Sequence, residues 1–283
     1  MGTQLISQES ISWQKLAPFL DGPIRVRLSP GAKNSIRESN KVLKQILKTN
    51  RKVYGVNTGF GKLSSVSISV KDLKLLQLNL IRSHCCGIGK PLDLGVTRLT
   101  LVLKLMTYAK GYSGVRPKVA QLLVDMLNHD ILPIIPRKGS VGASGDLAPL
   151  AHMARGMIGE GDVHFQDRIV PAMIALKESN LNPIVLEAKE GLSLINGTQV
   201  SVALGIRSLA EAYILLKTAD ISGALTTEAS LSTQTVFNPK IHRLKKHKGQ
   251  VQSATNVYQM LNGSEIVKSH EDCGNIQDPY SIR

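Results

Sequence analysis

The sequence is short of aromatic residues, cysteine and acidic residues, and each scarcity closes off a class of protein. Its 283 residues include one Trp, four Phe and six Tyr, too few to build the stacking platforms on which single-stranded nucleic acids are read. Three cysteines, Cys85, Cys86 and Cys273, make an odd number without Cys-x-x-Cys spacing. That pattern argues against a disulfide framework and against a zinc site, so no metal is expected. No uncharged run reaches the roughly 18 residues of a membrane span; long apolar stretches such as Val200 to Leu216 are broken by Arg207 and Glu211. Met1 to Ile11 carries Glu9 and lacks a basic segment followed by an apolar one, so it does not read as a secretory signal. No membrane association, a cytoplasmic location and reduced thiols are expected. In that compartment the Asn-x-Ser/Thr matches at Asn196 and Asn262 have no meaning as glycosylation sites.

Acidic residues number 21 against 35 Lys and Arg, a net charge of +14. Hydrophobic residues at 42% and charged residues at 20% supply enough apolar surface for a folded core and argue against wholesale disorder. Such an excess of positive charge could neutralise phosphates. The densest run, Arg243, Lys245, Lys246 and Lys248 with His242 and His247, has no aromatic residues between its cations. It reads as a solvated basic loop, with no nucleic-acid partner.

Helical periodicity dominates the rest. Apolar positions recur on one face at Ile36, Leu43, Ile46 and Leu47; at Val70, Leu73, Leu76 and Leu80; at Leu99, Val102, Leu103 and Met106; and at Val119, Leu122, Leu123 and Met126. The last of these helices should stop before Ile131-Leu132-Pro133-Ile134-Ile135-Pro136, because proline removes a donor and restricts its neighbour. A further helix is predicted from about Leu147, capped by the Asp146 carboxylate. Short extended pieces are expected around Val163 and Ile169, and a long helix from about Thr198 to Thr226, rich in good helix formers. The fold class is therefore mainly α: an N-terminal helical region with short strands, residues 1–197, then the start of a long central helix bundle, residues 198–283. The chain stops at Ile282-Arg283 without a turn or cap, which reads as a chain cut short.

Two glycine-rich loops remain, Tyr54-Gly-Val-Asn-Thr-Gly-Phe-Gly61 and Gly139-Ser-Val-Gly-Ala-Ser-Gly-Asp146. Neither is a phosphate cradle of known pattern. Relative to Gly61-Lys62 a P-loop would need glycine at Val56 and a hydroxyl at Leu63. A dinucleotide fingerprint would need glycine at Ser64, and a nucleophile elbow would need glycine at Asp146. Ala143-Ser144-Gly145 offers a different chemistry. The neighbours of Ser144 are nearly the smallest available, so the backbone can fold tightly enough for the Gly145 nitrogen to approach the Ala143 carbonyl carbon. Ring closure with loss of water, then dehydration of the serine, would leave an electrophilic methylidene group.

Taken with Ile195-Asn-Gly-Thr-Gln199 and Gln277-Asp-Pro-Tyr280, and extended to Leu-Ala-Pro-Leu-Ala-His152, these segments closely resemble, in order, the histidine and aromatic amino-acid ammonia-lyase family. The resemblance spans nearly the whole chain and matches the N-terminal part of such an enzyme. It implies a 4-methylidene-imidazol-5-one (MIO) group formed autocatalytically from Ala143, Ser144 and Gly145, with no external cofactor and no metal. Capture of the substrate amine by that electrophile would improve a poor leaving group, while a positioned base removes a weakly acidic β-proton.

The same resemblance implies Tyr54 as the base, Asn196 as the contact to the prosthetic group and substrate, and Gln277 and Tyr280 as further site residues. Arg283 would pair with the substrate carboxylate, a role suited to a planar two-pronged donor. Ser83-His84 is similar to the pair found in the histidine-specific members. His84 would then face a substrate imidazole, making L-histidine the substrate and urocanate the product. Cys85-Cys86 departs from the small residues expected there. The family also implies a homotetramer with shared active sites, and the long helix is expected to expose an apolar face. Alternatives are a phenylalanine or tyrosine ammonia-lyase or an aminomutase, an inactive fragment of such an enzyme, and, more remotely, a nucleic-acid-binding module.

Overall fold

The computed structural model describes residues 2–49, 51–63, 66–69, 71–274 and 276–282. The chain forms two compact units, one up to Ser208 and one from Leu209 onward. The first opens with strand β1 (Thr3–Ile6), two single-turn helices, α1 (Trp13–Leu16) and α2 (Pro18–Asp21), and β2 (Arg25–Leu28), which pairs in parallel with β1. Helix α3 (Pro30–Leu47) begins where the Ser29 hydroxyl accepts from the Ala32 N–H at 3.1 Å and Pro30 fills the first turn. Its buried residues Ala32, Ile36, Asn40 and Leu43 recur at helical spacing.

Helix α4 (Leu73–His84), β3 (Ile88–Pro91), α5 (Leu94–Ala109) and α6 (Pro117–Asn128) follow. Val70, the first residue of the expected α4 stripe, lies outside the described residues. Helix α5 packs against α2, α3 and α6, and Val96, Leu99, Leu101, Val102 and Leu105 have no solvent exposure. The stripe expected on α5 is therefore incomplete: Leu103 and Met106 are only half-buried, while Leu101 and Leu105 are fully enclosed. A helix surrounded by neighbours has no single apolar face to read. Each such Val or Leu contributes about 1.5–3 kcal/mol on burial, so α5 is the axis of this unit's core.

Helix α6 ends at Asn128 as the prolines require, and the Pro133–Pro136 stretch supplies two short strands, β4 (Leu132–Pro133) and β5 (Pro136–Lys138). Strand β5 pairs antiparallel with β3, and the glycine-rich loop leaves from its end toward α7 (Leu147–Met157). Strands β6 (Asp162–Phe165) and β7 (Arg168–Pro171) are the extended pieces expected around Val163 and Ile169; they pair with each other as a hairpin, with β4 on the other edge of β6. Helices α8 (Ala172–Glu178) and α9 (Glu190–Ile195) lead to α10 (Gln199–Ala229). The fold is mainly α with short strands, as expected.

In the second unit α10 buries Ala224 against Val257 of α12 (Lys248–Met260), Leu261 and Val267; α11 (Pro239–Arg243) and α13 (Glu265–Lys268) complete it. The basic residues Arg243, Lys245, Lys246 and Lys248 are solvent-exposed. Arg207 and Glu211 exclude an uncharged span, but a window that tolerates two charges passes. Within residues 190–229 one helix is long and apolar enough, by length and composition, to cross a membrane, with 22% of that window buried. A bundle helix meets the same criterion.

Helix α9 is tied down by charge. Arg116, just before α6, donates its Nε–H to Glu190 Oε1 at 2.7 Å and its backbone N–H to the same oxygen at 3.1 Å. The Glu187 N–H donates to Glu190 Oε2 at 2.8 Å, and Glu190 is 1% exposed. Removing one partner of a buried pair strands the other. Glu190→Ala is expected to lower the free energy of unfolding by about 3–5 kcal/mol in urea denaturation; a loss below about 1 kcal/mol would show that the pair does not hold α9.

Candidate active site

The loop between β5 and α7 presents Ala143 and Ser144 to solvent and turns back at Gly145, whose φ is +96°. A Cβ at Gly145 would lie 2.5 Å from the Gly197 carbonyl oxygen, so only glycine fits. The next residue, Asp146, donates its backbone N–H to that carbonyl at 2.7 Å. The loop is thus seated on the Asn196-Gly197 turn. Small side chains at 143 and 144 and an obligatory glycine at 145 fit the requirements of a ring formed by the backbone of these three residues.

Asp146 precedes Leu147 as expected, but its carboxylate does not cap α7. It accepts instead from the Ser140 hydroxyl at 2.9 Å, the Ser201 N–H at 2.7 Å and the Ser201 hydroxyl at 2.6 Å. Ser201 lies in the first turn of α10, where unpaired N–H groups and the helix dipole favour an anion. Asp146 therefore caps the distant helix, and at 1% exposure it satisfies its charge through three donors.

Asn196 ends α9 in an extended conformation and is exposed. Its carbonyl accepts from Lys104 Nζ at 3.0 Å, and Lys104 also donates to the Ser193 carbonyl at 3.2 Å. Lys104 is fully buried in the middle of α5. Burial pushes its ammonium down to about 7, against the opposing pull of Asp146. Nothing in its local spacing separates it from a solvated lysine, so sequence reasoning missed it; its place in a helix flanked by Leu103 and Leu105 is the one available signal.

Tyr54 sits on the other glycine-rich loop, 56% exposed, with the Phe60 ring edge-on at 6.1 Å. That loop braces itself: the Asn57 side chain accepts from the Val53 N–H at 2.8 Å and donates to the Arg51 carbonyl at 2.9 Å. The buried Thr58 hydroxyl accepts from the Gly55 N–H at 3.3 Å and donates to the Gly59 carbonyl at 3.0 Å. His84 is the last residue of α4 and half-buried. Its Nδ1 lies 2.8 Å from the Leu80 carbonyl, which can only accept, so Nδ1 carries a proton. In the neutral ring Nε2 is then the acceptor. Burial pushes the neighbouring Cys85 thiol up to about 11, far from a reactive thiolate.

Among the described residues, no hydrogen bond joins Tyr54 or His84 to Ala143, Ser144 or Gly145. The Gln277–Tyr280 segment belongs to the second unit, where Asp278 accepts from the Thr233 N–H at 2.7 Å. Gln277 and Tyr280 are exposed; Arg283 lies outside the described residues. No group of three His, Cys, Asp or Glu that could hold a metal occurs among the described residues.

This mainly α fold is that of a class of lyases. Residues 11–283 match the aromatic amino acid lyase family, and the chain belongs to it. It is 44% identical over 279 residues to a histidine ammonia-lyase of Myxococcus xanthus, a match covering 99% of this chain and 55% of that one. The histidine ammonia-lyase structure from Trypanosoma cruzi superposes with a TM-score of 0.86 at 34% identity, over 95% of this chain and 53% of that one. A Pantoea agglomerans phenylalanine aminomutase gives a TM-score of 0.90 at 30% identity, over 100% of this chain and 57% of that one. The chain spans about half the length of the relatives it matches.

Lys104 also makes stability depend on pH. Its folded value, about 7, lies below the ordinary 10.5, so between those limits the unfolded chain binds the extra proton and stability rises with pH. The burial penalty is full below about pH 7 and fades above it. In thermal melts from about pH 6 to about pH 9, wild type is expected to gain stability relative to Lys104→Met; a constant difference would contradict a titrating Lys104.

Proposed function

We propose that this chain carries out the chemistry of a histidine ammonia-lyase, the non-oxidative elimination of ammonia from L-histidine to give urocanate. The observation that carries the reading is the seating of exposed Ser144, through Gly145 and Asp146, on the turn that presents Asn196. When formed from Ala143, Ser144 and Gly145, the MIO group supplies the electrophile that makes the substrate amine a better leaving group. The phenol of Tyr54 takes the β-proton. Asn196 donates to and accepts from the substrate beside the loop. His84, with Nε2 as acceptor, receives the imidazole N–H, which is the basis for preferring histidine over phenylalanine or tyrosine. By the family resemblance Arg283 would pair with the substrate carboxylate, and Gln277 and Tyr280 would be further substrate contacts, whichever copy of the chain supplies them. No metal and no external cofactor take part.

Assembly belongs to the same proposal. Ile214, Leu215 and Leu216 of α10 are 63%, 69% and 66% exposed, and an apolar surface of that kind supports burial against other protein. A homotetramer with shared active sites satisfies it.

Intact-mass and peptide-digest measurements on the native protein are expected to show loss of two waters at Ala143-Ser144-Gly145. Ser144→Ala should keep both waters and lose elimination activity by at least about a hundredfold, on the scale of lost nucleophilic or electrophilic groups. An ordinary backbone at Ser144 in an active protein would overturn the assignment. Substrate choice is read separately, by product absorbance with histidine, phenylalanine and tyrosine. His84→Phe is expected to shift preference from histidine toward phenylalanine, and an unchanged substrate ratio would refute the role given to His84.

A further inference from the structure

The junction between α9 and α10 is gripped from beneath by a residue that plays no part in the reaction described above. An ammonium buried as completely as that of Lys104 is costly unless its N–H groups are used. Two of them reach the Ser193 and Asn196 carbonyls, at 3.2 and 3.0 Å. The Tyr108 ring, one turn along α5, lies 5.9 Å from Nζ, and the Tyr108 hydroxyl donates to the same Ser193 carbonyl at 3.2 Å. The charged groups around this point are few. Asp146 acts on Lys104 directly; Glu190 acts on Tyr108 and is paired with Arg116.

The next carbonyl along the chain, that of Gly197, is taken by the Asp146 N–H at 2.7 Å. Two successive carbonyls, Asn196 and Gly197, are therefore held by groups from different elements, the middle of α5 and the start of α7. The Gly197 φ of +140°, and a Cβ position there only 2.4 Å from Gln199 Oε1, require glycine at this turn, so no side chain at 197 helps to hold it and its placement depends on the two grips. The frame from which the Asn196 side chain projects is set by both.

We propose that Lys104 is a positioning residue of the site: by holding the Asn196 carbonyl it fixes the frame of the Asn196 side chain against the serine loop. The proposal rests on the lyase reading for the role of Asn196, but the clamp itself is testable without it. Lys104→Met keeps the length and apolar stem and removes every donor, and replacing a buried charge by an apolar side chain of similar volume is commonly tolerated. In the native assembled protein, amide hydrogen exchange of Asp146 and Asn196, whose N–H groups donate to the Gly197 and Leu192 carbonyls, is expected to speed up at least tenfold in Lys104→Met, with exchange in α3 and α6 unchanged. Unchanged protection at Asp146 and Asn196 would overturn the clamp whether or not any lyase activity is found.

With activity present, Lys104→Met is expected to lower kcat at least tenfold while KM for histidine stays within twofold. In an Asn196→Ala background the same change should have no further effect, because a residue acting through another loses its influence when that other is gone. A merely structural lysine would give equal losses in both backgrounds, and that additivity would overturn the positioning role. Should Lys104→Met fail to fold, Lys104→Leu, which also removes every donor, is read by the same exchange and the same double-mutant comparison.

Discussion

A single buried carboxylate, that of Asp146, ties together three segments of the first unit. Ionised and out of contact with water, it would destabilise the fold by several kcal/mol without partners. Its three donors come from Ser140 and Ser201, on the serine loop and on α10. Its backbone N–H is spent on Gly197. Satisfying one charge thus fixes the loop, the Asn-Gly turn and the N-terminus of α10 relative to one another. A polar network of this kind is most rigid when every member is satisfied. Lys104, buried in α5, holds the adjoining Asn196 carbonyl of the same turn.

The helices were legible because their apolar residues repeat at helical spacing, and the proline stretch marked the end of α6. Legibility failed where neighbours surround an element. Helix α5 is enclosed on most sides, so its expected stripe missed Leu101 and Leu105, which are as buried as Leu99. The position of Asp146 could be read from the start of α7, yet its partners could not, because Ser201 lies 55 residues away. Lys104 is the sharpest case. Its bonds run to Asn196, 92 residues further along, and local spacing carries no trace of a contact made only where the Lys104 side chain reaches the end of α9.

One residue type of the serine loop is dictated by backbone geometry. Gly145 must be glycine because of its φ and the proximity of the Gly197 carbonyl, and such constraints keep a short motif recognisable. Cys85 shows the reverse. It sits next to His84 but is half-buried with a raised pKa, a packing residue whose identity the local geometry does not dictate. The His84 ring is oriented by its own helix, through the Leu80 carbonyl one turn earlier, so its acceptor nitrogen is set without help from Cys85 or Cys86.

Beneath the site the polar groups are buried and paired; above it Tyr54, Ser144 and Asn196 are exposed. That contrast has a consequence for the proposed chemistry. Preorganised dipoles and charges are worth most where water is excluded, and Tyr54 stands 56% exposed. The rigid underlayer can fix where these groups stand, but it cannot dry them. In an assembly with shared active sites, the surface that covers Tyr54 and Ser144 would supply the low-dielectric environment. Burial of that surface and catalytic competence would then arise from the same contact.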